Sequence, residues 1–326
     1  MLRRDLSLEM VRVTELAALS ASFYVGLGDK ENGDKAAVDA MRHYLNRIDI
    51  DGKVIIGEGA KDEAPMLFNG EVLGTGKGEK VDIAVDPVEG TTLLALGQPN
   101  AIATIAIAEA GSMLNPGSSY YMKKLVVSKQ AKGAIDIKKT TAENLKNIAD
   151  ALDKKVNALT VFVLNKPRHQ ELIKEIRATG ARIIVHDHGD VWGALAAALP
   201  DTGIDVLMGT GGTPEAIISA AAIKAIDGGM QCKMDPKEEI ERQTLLKEGI
   251  DIERILELND LIKSDHTFFA ATGITGSSFL KGVHLKSGNI ATTQSIVMRS
   301  YTGTIRYIDG IHQLDKKLNK LEFKFD

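Results

Sequence analysis

The chain reads as an α/β protein of two domains, and three observations lead there. From residue 159 onward, strand-like and helix-like stretches alternate strictly, the grammar of a largely parallel sheet with helices on both faces. Before that point, short apolar runs end in acidic residues beside glycines, as at Asp86-Pro87-Val88-Glu89-Gly90-Thr91-Thr92. With 326 residues, the chain is long enough for two separate cores.

The first part opens with two helices. The second follows Gly33-Asp34 and carries Val38, Met41, Leu45 and Ile48 at three- and four-residue steps, a single buried stripe. Strands are expected at Val54-Ile55-Ile56, before Gly57-Glu58-Gly59, and at 81–85, before Asp86. Another is expected at 101–108 and a weaker one at 125–127. A charged helical segment over 140–158 turns Leu145, Ile148 and Leu152 inward. The alternating part then predicts strands at 159–164, 182–185 and 204–208. Helices follow each, at 170–179, at 191–199 and from Pro214. Right-handed crossovers would set the three following loops along one sheet edge. Further strands at 267–271, 296–299 and 304–308 make that sheet mixed. The boundary is placed between 155 and 156, giving domains 1–155 and 156–326, and the charged end, 317–326, is expected to pack loosely.

A formal net charge of -4 leaves no electrostatic footprint for nucleic acid or an anionic membrane. The pairs Lys123-Lys124 and Lys138-Lys139 read as solvated surface. A single cysteine, Cys232, excludes an internal disulfide and fits a reducing compartment. No apolar run approaches the roughly 20 residues of a membrane helix, and the first residues lack a signal-peptide pattern. A cytoplasmic protein with a small-molecule substrate is expected, assembled as a homo-oligomer, dimer or tetramer.

The acids carry the chemistry. Glu58 sits between two glycines after a strand. Asp86 ends another strand, Pro87 suits the first position of a helix, and Glu89 would lie in that helix's first turn. Asp34 precedes the second helix, and Glu215 follows Gly209-Thr210-Gly211-Gly212-Thr213-Pro214. Any one of these acids could merely complement a helix N-terminus. Five together suit Mg²⁺ or Mn²⁺, which take oxygen ligands and leave positions to water and phosphate. A metal-dependent phosphatase follows. Lys166 and Arg168, after a strand, suit a non-reacting phosphate, or belong to a solvated loop. Tyr121 is core or substrate contact. His186 and His188 would need a third ligand to hold Zn²⁺. Neither a dinucleotide fingerprint nor a Walker sequence occurs.

Asp-Pro-x-Glu-Gly-Thr resembles the metal-binding motif of the inositol monophosphatase and fructose bisphosphatase superfamily. The stretches Gly28-Asp29-Lys30, Gly57-Glu58-Gly59 with Asp62-Glu63-Ala64-Pro65, Lys166-Pro167-Arg168-His169 and Ala271-Thr272-Gly273 narrow it. They resemble bacterial class II fructose-1,6-bisphosphatases, from the first helix to about residue 310. That resemblance implies a layered α/β/α/β/α fold of two sandwich domains, and removal of the 1-phosphate of fructose 1,6-bisphosphate in gluconeogenesis. It implies Mn²⁺ or Mg²⁺ at Asp34, Glu58, Asp86, Glu89 and Glu215. It implies catalytic roles for Lys30, Asp62 and Thr91, with Asp62 and Thr91 positioning and deprotonating the attacking water. The sugar phosphate would meet Glu89, Gly90, Thr91, Tyr121, Lys166, Pro167, Arg168, His188, Gly189, Asp190 and Gly212. Two positions depart from the family: His188 stands for an Asp, and Ala60 for an acid. Activity on sedoheptulose 1,7-bisphosphate, an inositol-monophosphatase-like activity, and a non-catalytic sugar-phosphate-binding module are the alternatives.

Overall fold

A computed structural model describes residues 2–59 and 66–323. In chain order, the first elements are α1 (Leu6–Ser22), α2 (Lys30–Leu45), β1 (Ile50–Ile56), β2 (Val72–Leu73), β3 (Glu79–Glu89), α3 (Thr91–Ala95) and β4 (Ile102–Glu109). There follow β5 (Tyr121–Val127), α4 (Thr141–Ala151), β6 (Thr160–Leu164), α5 (Gln170–Ala178), β7 (Arg182–His186), α6 (Asp190–Ala198), β8 (Val206–Gly212) and α7 (Thr213–Ala225). The rest are β9 (Gly229–Met234), α8 (Glu239–Lys247), β10 (Ile255–Glu257), α9 (Leu258–Leu261), β11 (Thr267–Gly273), β12 (His284–Lys286), β13 (Ile290–Arg299), β14 (Thr304–Gln313) and α10 (Leu314–Leu321). Among the described residues, no helix is long and apolar enough to cross a membrane.

Two compact units result, and they divide the chain differently from a cut at 155/156. Residues 1–113 and 264–326 form one, and 114–263 the other. The reason is a pairing distant in sequence. β11 joins β4 antiparallel along its whole length, from Thr267↔Ala108 to Gly273↔Ile102, which carries the last strands into the first unit's sheet. That sheet runs β12-β13-β11-β4-β3-β1-β2, with β14 on β13. Only β1 and β3 are parallel neighbours. Leu6, Met10 and Ala17 of α1 and Val38, Met41 and Leu45 of α2 pack with Ile83, Val85, Ile105 and Phe268 of the strands in one core.

The second unit's sheet runs β10-β9-β5-β8-β6-β7. Its parallel part is confined to β8-β6-β7, because β5 comes from before the alternating stretch and enters antiparallel to β8 and β9. Leu145 and Ile148 of α4 and Ile173 and Ile176 of α5 cover one face, over Leu125, Val161, Val163 and Met208. α6 and α7 contact β5 and β8. Every residue of α6 is buried, which accounts for its small, apolar sequence.

The C-terminal segment is anchored in the first unit. Lys317 of α10 lies 3.5 Å from the buried Glu15 of α1 and 3.0 Å from His312 Nδ1. Thr293 Oγ1 sits 2.8 Å from His312 Nε2. Burial raises the Glu15 carboxyl above its ordinary range and pushes His312 down to about 4.

Candidate functional site

In the first unit, the acids gather where β1 and β3 run side by side. The two strands are parallel with Ile56 beside Ala84, so Glu58 and Asp86 lie just beyond the same end of the pair. β3 does not stop at Asp86. It continues through Pro87 to Glu89, which pairs with Ile102, while Asp86 pairs with Thr104. Two residues on β3, Pro87 and Val88, thus oppose one on β4, Ala103, a β-bulge, the one setting inside a sheet that suits a proline without an N–H. In a regular strand, residues three apart face opposite ways. The bulge cancels that, since Val85 and Val88 both enter the helix-covered core. Asp86 and Glu89 therefore share the other face, and Glu89 is buried.

Pro87 is thus a bulge residue and not the first residue of a helix. That helix, α3, begins at Thr91, after Gly90 adopts the left-handed conformation (φ 93°) that a side chain would strain. α2 likewise starts earlier than Gly33-Asp34. Asp29 caps it by accepting from Asn32 N at 3.0 Å, so Asp34 sits inside the helix, half-buried. Gly33 is helical because α3 packs against it: a Cβ there would lie 2.5 Å from Leu94 Cδ2. Across the same α2–α3 contact, Lys30 Nζ donates to Thr92 Oγ1 at 3.0 Å. Lys30, Gly90 and Thr91 are thereby brought into one neighbourhood. Asp62 and Ala60 lie outside the described residues.

In the second unit, the glycine-rich end of β8 is packed with side chains from three loops. His169 Nε2 accepts from Thr210 N at 2.8 Å, and its Nδ1 donates to Leu164 O at 2.7 Å. The ring is held neutral, with burial lowering its pKa. This fastens the Lys166-Pro167-Arg168 turn to β8. The Arg168 guanidinium donates through Nε and Nη2 to Thr210 O, at 3.0 and 2.9 Å, and lies 4.8 Å over the Tyr121 ring. Tyr121 is therefore neither core nor isolated surface; it forms a platform for Arg168. Asn165 donates to Asp187 at 2.8 Å, tying the same turn to the loop of His188 and Gly189.

Gly189, again left-handed (φ 101°), starts α6 as Gly90 starts α3, and puts Asp190 in the first turn. Asp190 is ion-paired with Lys124, both side chains almost wholly buried (9% and 2% exposed). Lys124 is no solvated residue. On β5 it shares a face with Met122 and Val126, and that alternation was the available signal for its burial. A Cβ on Gly211 would stand 1.9 Å from Asp190 Oδ2, and one on Gly212 1.9 Å from Glu215 Oε2. These glycines leave room for carboxylates to lie against the strand. Glu215, in the first turn of α7, keeps Oε2 buried with no hydrogen-bond partner among the described residues. Burial raises its carboxyl pKa, against the lowering pull of Lys124.

Among the described residues, no three His, Cys, Asp or Glu side chains gather at metal-binding spacing. The donors nonetheless suit a hard cation. Burial pushes Asp34 up to about 6, and Glu215 Oε2 is enclosed without a proton donor among the described residues, both costs that a bound cation removes. The zinc alternative gains no support: His186 packs 5.9 Å from Phe162 and 5.7 Å from Trp192 by ring centroids. Cys232 is buried, with its thiol pushed up to about 12, so it is an inert core residue.

Known proteins match this chain along nearly all of it. The family model of bacterial fructose-1,6-bisphosphatase, glpX-encoded, matches residues 4–312. The fructose-1,6-bisphosphatase 1 class 2 of Escherichia coli (strain K12) is 46% identical, with 97% of each chain covered. The fructose-1,6-bisphosphatase class 2 of Shigella flexneri matches to the same extent, 46% over 97% of each. Similarity of this depth over this length, with the Asp-Pro-x-Glu-Gly-Thr bulge inside it, shows that the chain belongs to the glpX-encoded bacterial fructose-1,6-bisphosphatase family.

Proposed function

We propose that the protein hydrolyses the 1-phosphate of D-fructose 1,6-bisphosphate, giving fructose 6-phosphate and phosphate, as a step of gluconeogenesis. The observation that carries the reading is the bulge in β3. It turns Asp86 and Glu89 to one face beside the end of β1 that leads to Glu58. Family membership and the names of the relatives support the substrate.

Asp34, Glu58, Asp86, Glu89 and Glu215 are the residues proposed to hold divalent cations, Mn²⁺ or Mg²⁺. Such ions lower the pKa of water and neutralise charge on phosphoryl oxygens. The chain's own groups do the rest. Thr91 orients water and takes its proton, as the Thr91 hydroxyl proton passes to Asp62. Lys30, held near α3 through Thr92, offers positive charge beside the transferring group. Arg168 has two N–H groups committed to Thr210 O, which fixes the plane of the fork and leaves three for a phosphate. Lys166, Tyr121, Gly189, Asp190 and Gly212 complete the sugar-phosphate contacts, together with Gly90, Pro167 and His188.

The test is phosphate release by the purified protein over fructose 1,6-bisphosphate, sedoheptulose 1,7-bisphosphate, inositol 1-phosphate and fructose 6-phosphate, each with Mn²⁺ or with a chelator. Turnover of fructose 1,6-bisphosphate that requires the cation is expected. Binding without turnover, or a preference for inositol 1-phosphate, refutes the reading.

A further inference from the structure

A cavity of about 250 Å³ opens in the second unit between the outer face of β5 and β8, the start of α4, and α5. Lys123, Lys124, Lys139 and Arg168 line it, against one carboxylate, Glu175. Tyr121, Lys166, Asp190 and Gly212, the other groups assigned to the sugar phosphate, do not. Strand alternation turns the Lys123 side chain to the face opposite that of Lys124, whose buried ammonium is committed to Asp190. Lys123 lies directly across the ladder from Lys233, a like-charge pairing that destabilises a sheet. Glu253, 2.6 Å away, offsets Lys233 alone. Among the described residues, no side chain hydrogen-bonds or ion-pairs with Lys123, and Lys139 feels only the longer-range attraction of Glu143. Glu175 is already engaged, accepting from Thr141 Oγ1 at 2.5 Å. The start of α4 needs no ligand either, because Thr140 and Glu143 cap it reciprocally. Positive charge in excess of negative therefore faces a cavity whose far walls, Leu172 and Met208, are apolar.

We propose that this cavity is a second anion site, for a small multiply charged anion, a phosphate ester or a polycarboxylate of a few carbons. The volume suits a molecule of that size. Lys123 and Lys139 supply mobile point charges, and Arg168 a rigid fork that the cavity shares with the sugar-phosphate contacts. An occupant would thus act on a residue proposed to hold substrate.

Calorimetric titration of the full-length, metal-free protein with inorganic phosphate and, separately, with citrate tests the site without turnover, so the outcome stands apart from the functional reading. The parent is expected to bind at least one probe, and which one identifies the ligand class. Lys123→Ala/Lys139→Ala is expected to weaken binding about tenfold or more, the loss of charge-assisted contacts. Both lysines are exposed, and far-ultraviolet circular dichroism checks the variant's fold. Lys166→Ala is expected to leave the affinity within about twofold. Loss of binding in Lys166→Ala with none in the double lysine variant would move the anion to the sugar-phosphate contacts and overturn the proposal. So would the absence of binding by both probes, or an equal response to sodium chloride at matched ionic strength.

Discussion

Replacing Lys124 with Met is expected to cost the second unit more than any exposed substitution could. The ammonium is 2% exposed and its partner Asp190 9% exposed, so water screens neither. At a hydrogen-bonding separation of about 3 Å and an effective dielectric of about 20, their attraction is roughly 5 kcal/mol. Desolvation of both charges offsets much of that in the intact pair. Removing one partner leaves the other's desolvation uncompensated, and losses of about 3–5 kcal/mol result. Here the orphan is worse placed than usual. Asp190 Oδ2 lies in the space left by Gly211, and Asp190 raises the pKa of the buried Glu215 while Lys124 lowers it. Trp192, the chain's sole tryptophan, stands two residues from Asp190 on α6 and reports locally. Urea unfolding followed by its fluorescence should show the midpoint falling by about 2 M, for an m-value of about 2 kcal/mol/M. The double variant Lys124→Met/Asp190→Asn should recover more than half of the loss, because the buried charge is gone. A single variant costing under about 1 kcal/mol, or strictly additive losses, would refute the burial argument.

Acidification tests the cluster around α10. His312 is pushed down to about 4 by burial and by Lys317, below the ordinary 6.5. As pH falls, the unfolded chain takes the proton first. Stability present above pH 6.5 is therefore lost progressively down to about pH 4, by about 2 kcal/mol at pH 5. Glu15, raised by burial, contributes with the opposite sign, so the measurement is the difference between parent and His312→Gln in unfolding free energy at pH 7 and pH 5. An unchanged difference would refute the assignment. Gly212→Ala places a Cβ 1.9 Å from Glu215 Oε2 at an ordinary φ of -66°, so only the contact is at fault. A displaced carboxylate should lower kcat about 100-fold, with circular dichroism unchanged. Thr91→Ala should lower kcat by about 100-fold or more at saturating Mn²⁺, while Glu89→Gln should also weaken Mn²⁺ binding in a direct titration. Parent-like kinetics in Thr91→Ala would remove Thr91 from water activation.

Much of the fold was legible because local patterns matched local structure. The strands at 102–109, 160–164 and 182–186 and the helices at 170–178 and 190–198 all follow from apolar runs bounded by glycine, proline or charge. Sheet membership was not legible. The placement of 267–273 depends on β4, more than 150 residues earlier, and no local pattern encodes a partner at that distance. Pro87 shows a second kind of gap. Its missing N–H suits a helix start and a β-bulge equally, and only the pairing of Glu89 with Ile102 decides between them. Lys124 shows a third, since reading two adjacent lysines as one surface pair ignores that neighbouring strand positions face opposite ways.

The same geometry explains why the candidate residues could be found at all. In each unit an acid stands next to a left-handed glycine that opens a helix: Glu89-Gly90 before α3, and Gly189-Asp190 at the start of α6. A left-handed residue turns the chain sharply between strand and helix, and only glycine does so without strain. The turn leaves acid side chains close to rigid backbone, with little freedom to relax away from one another. Strands and helices of the scaffold fix where Asp34, Asp86, Glu89 and Glu215 lie, and Glu58 follows directly on the end of β1. The roles proposed for the acids depend on that rigidity. A carboxylate held in place against its neighbours retains the cost of its charge until a cation arrives, and that retained cost becomes cation affinity. Lys124 does the complementary work in the second unit. It compensates Asp190 directly and only partly Glu215, whose Oε2 has no hydrogen-bond donor among the described residues.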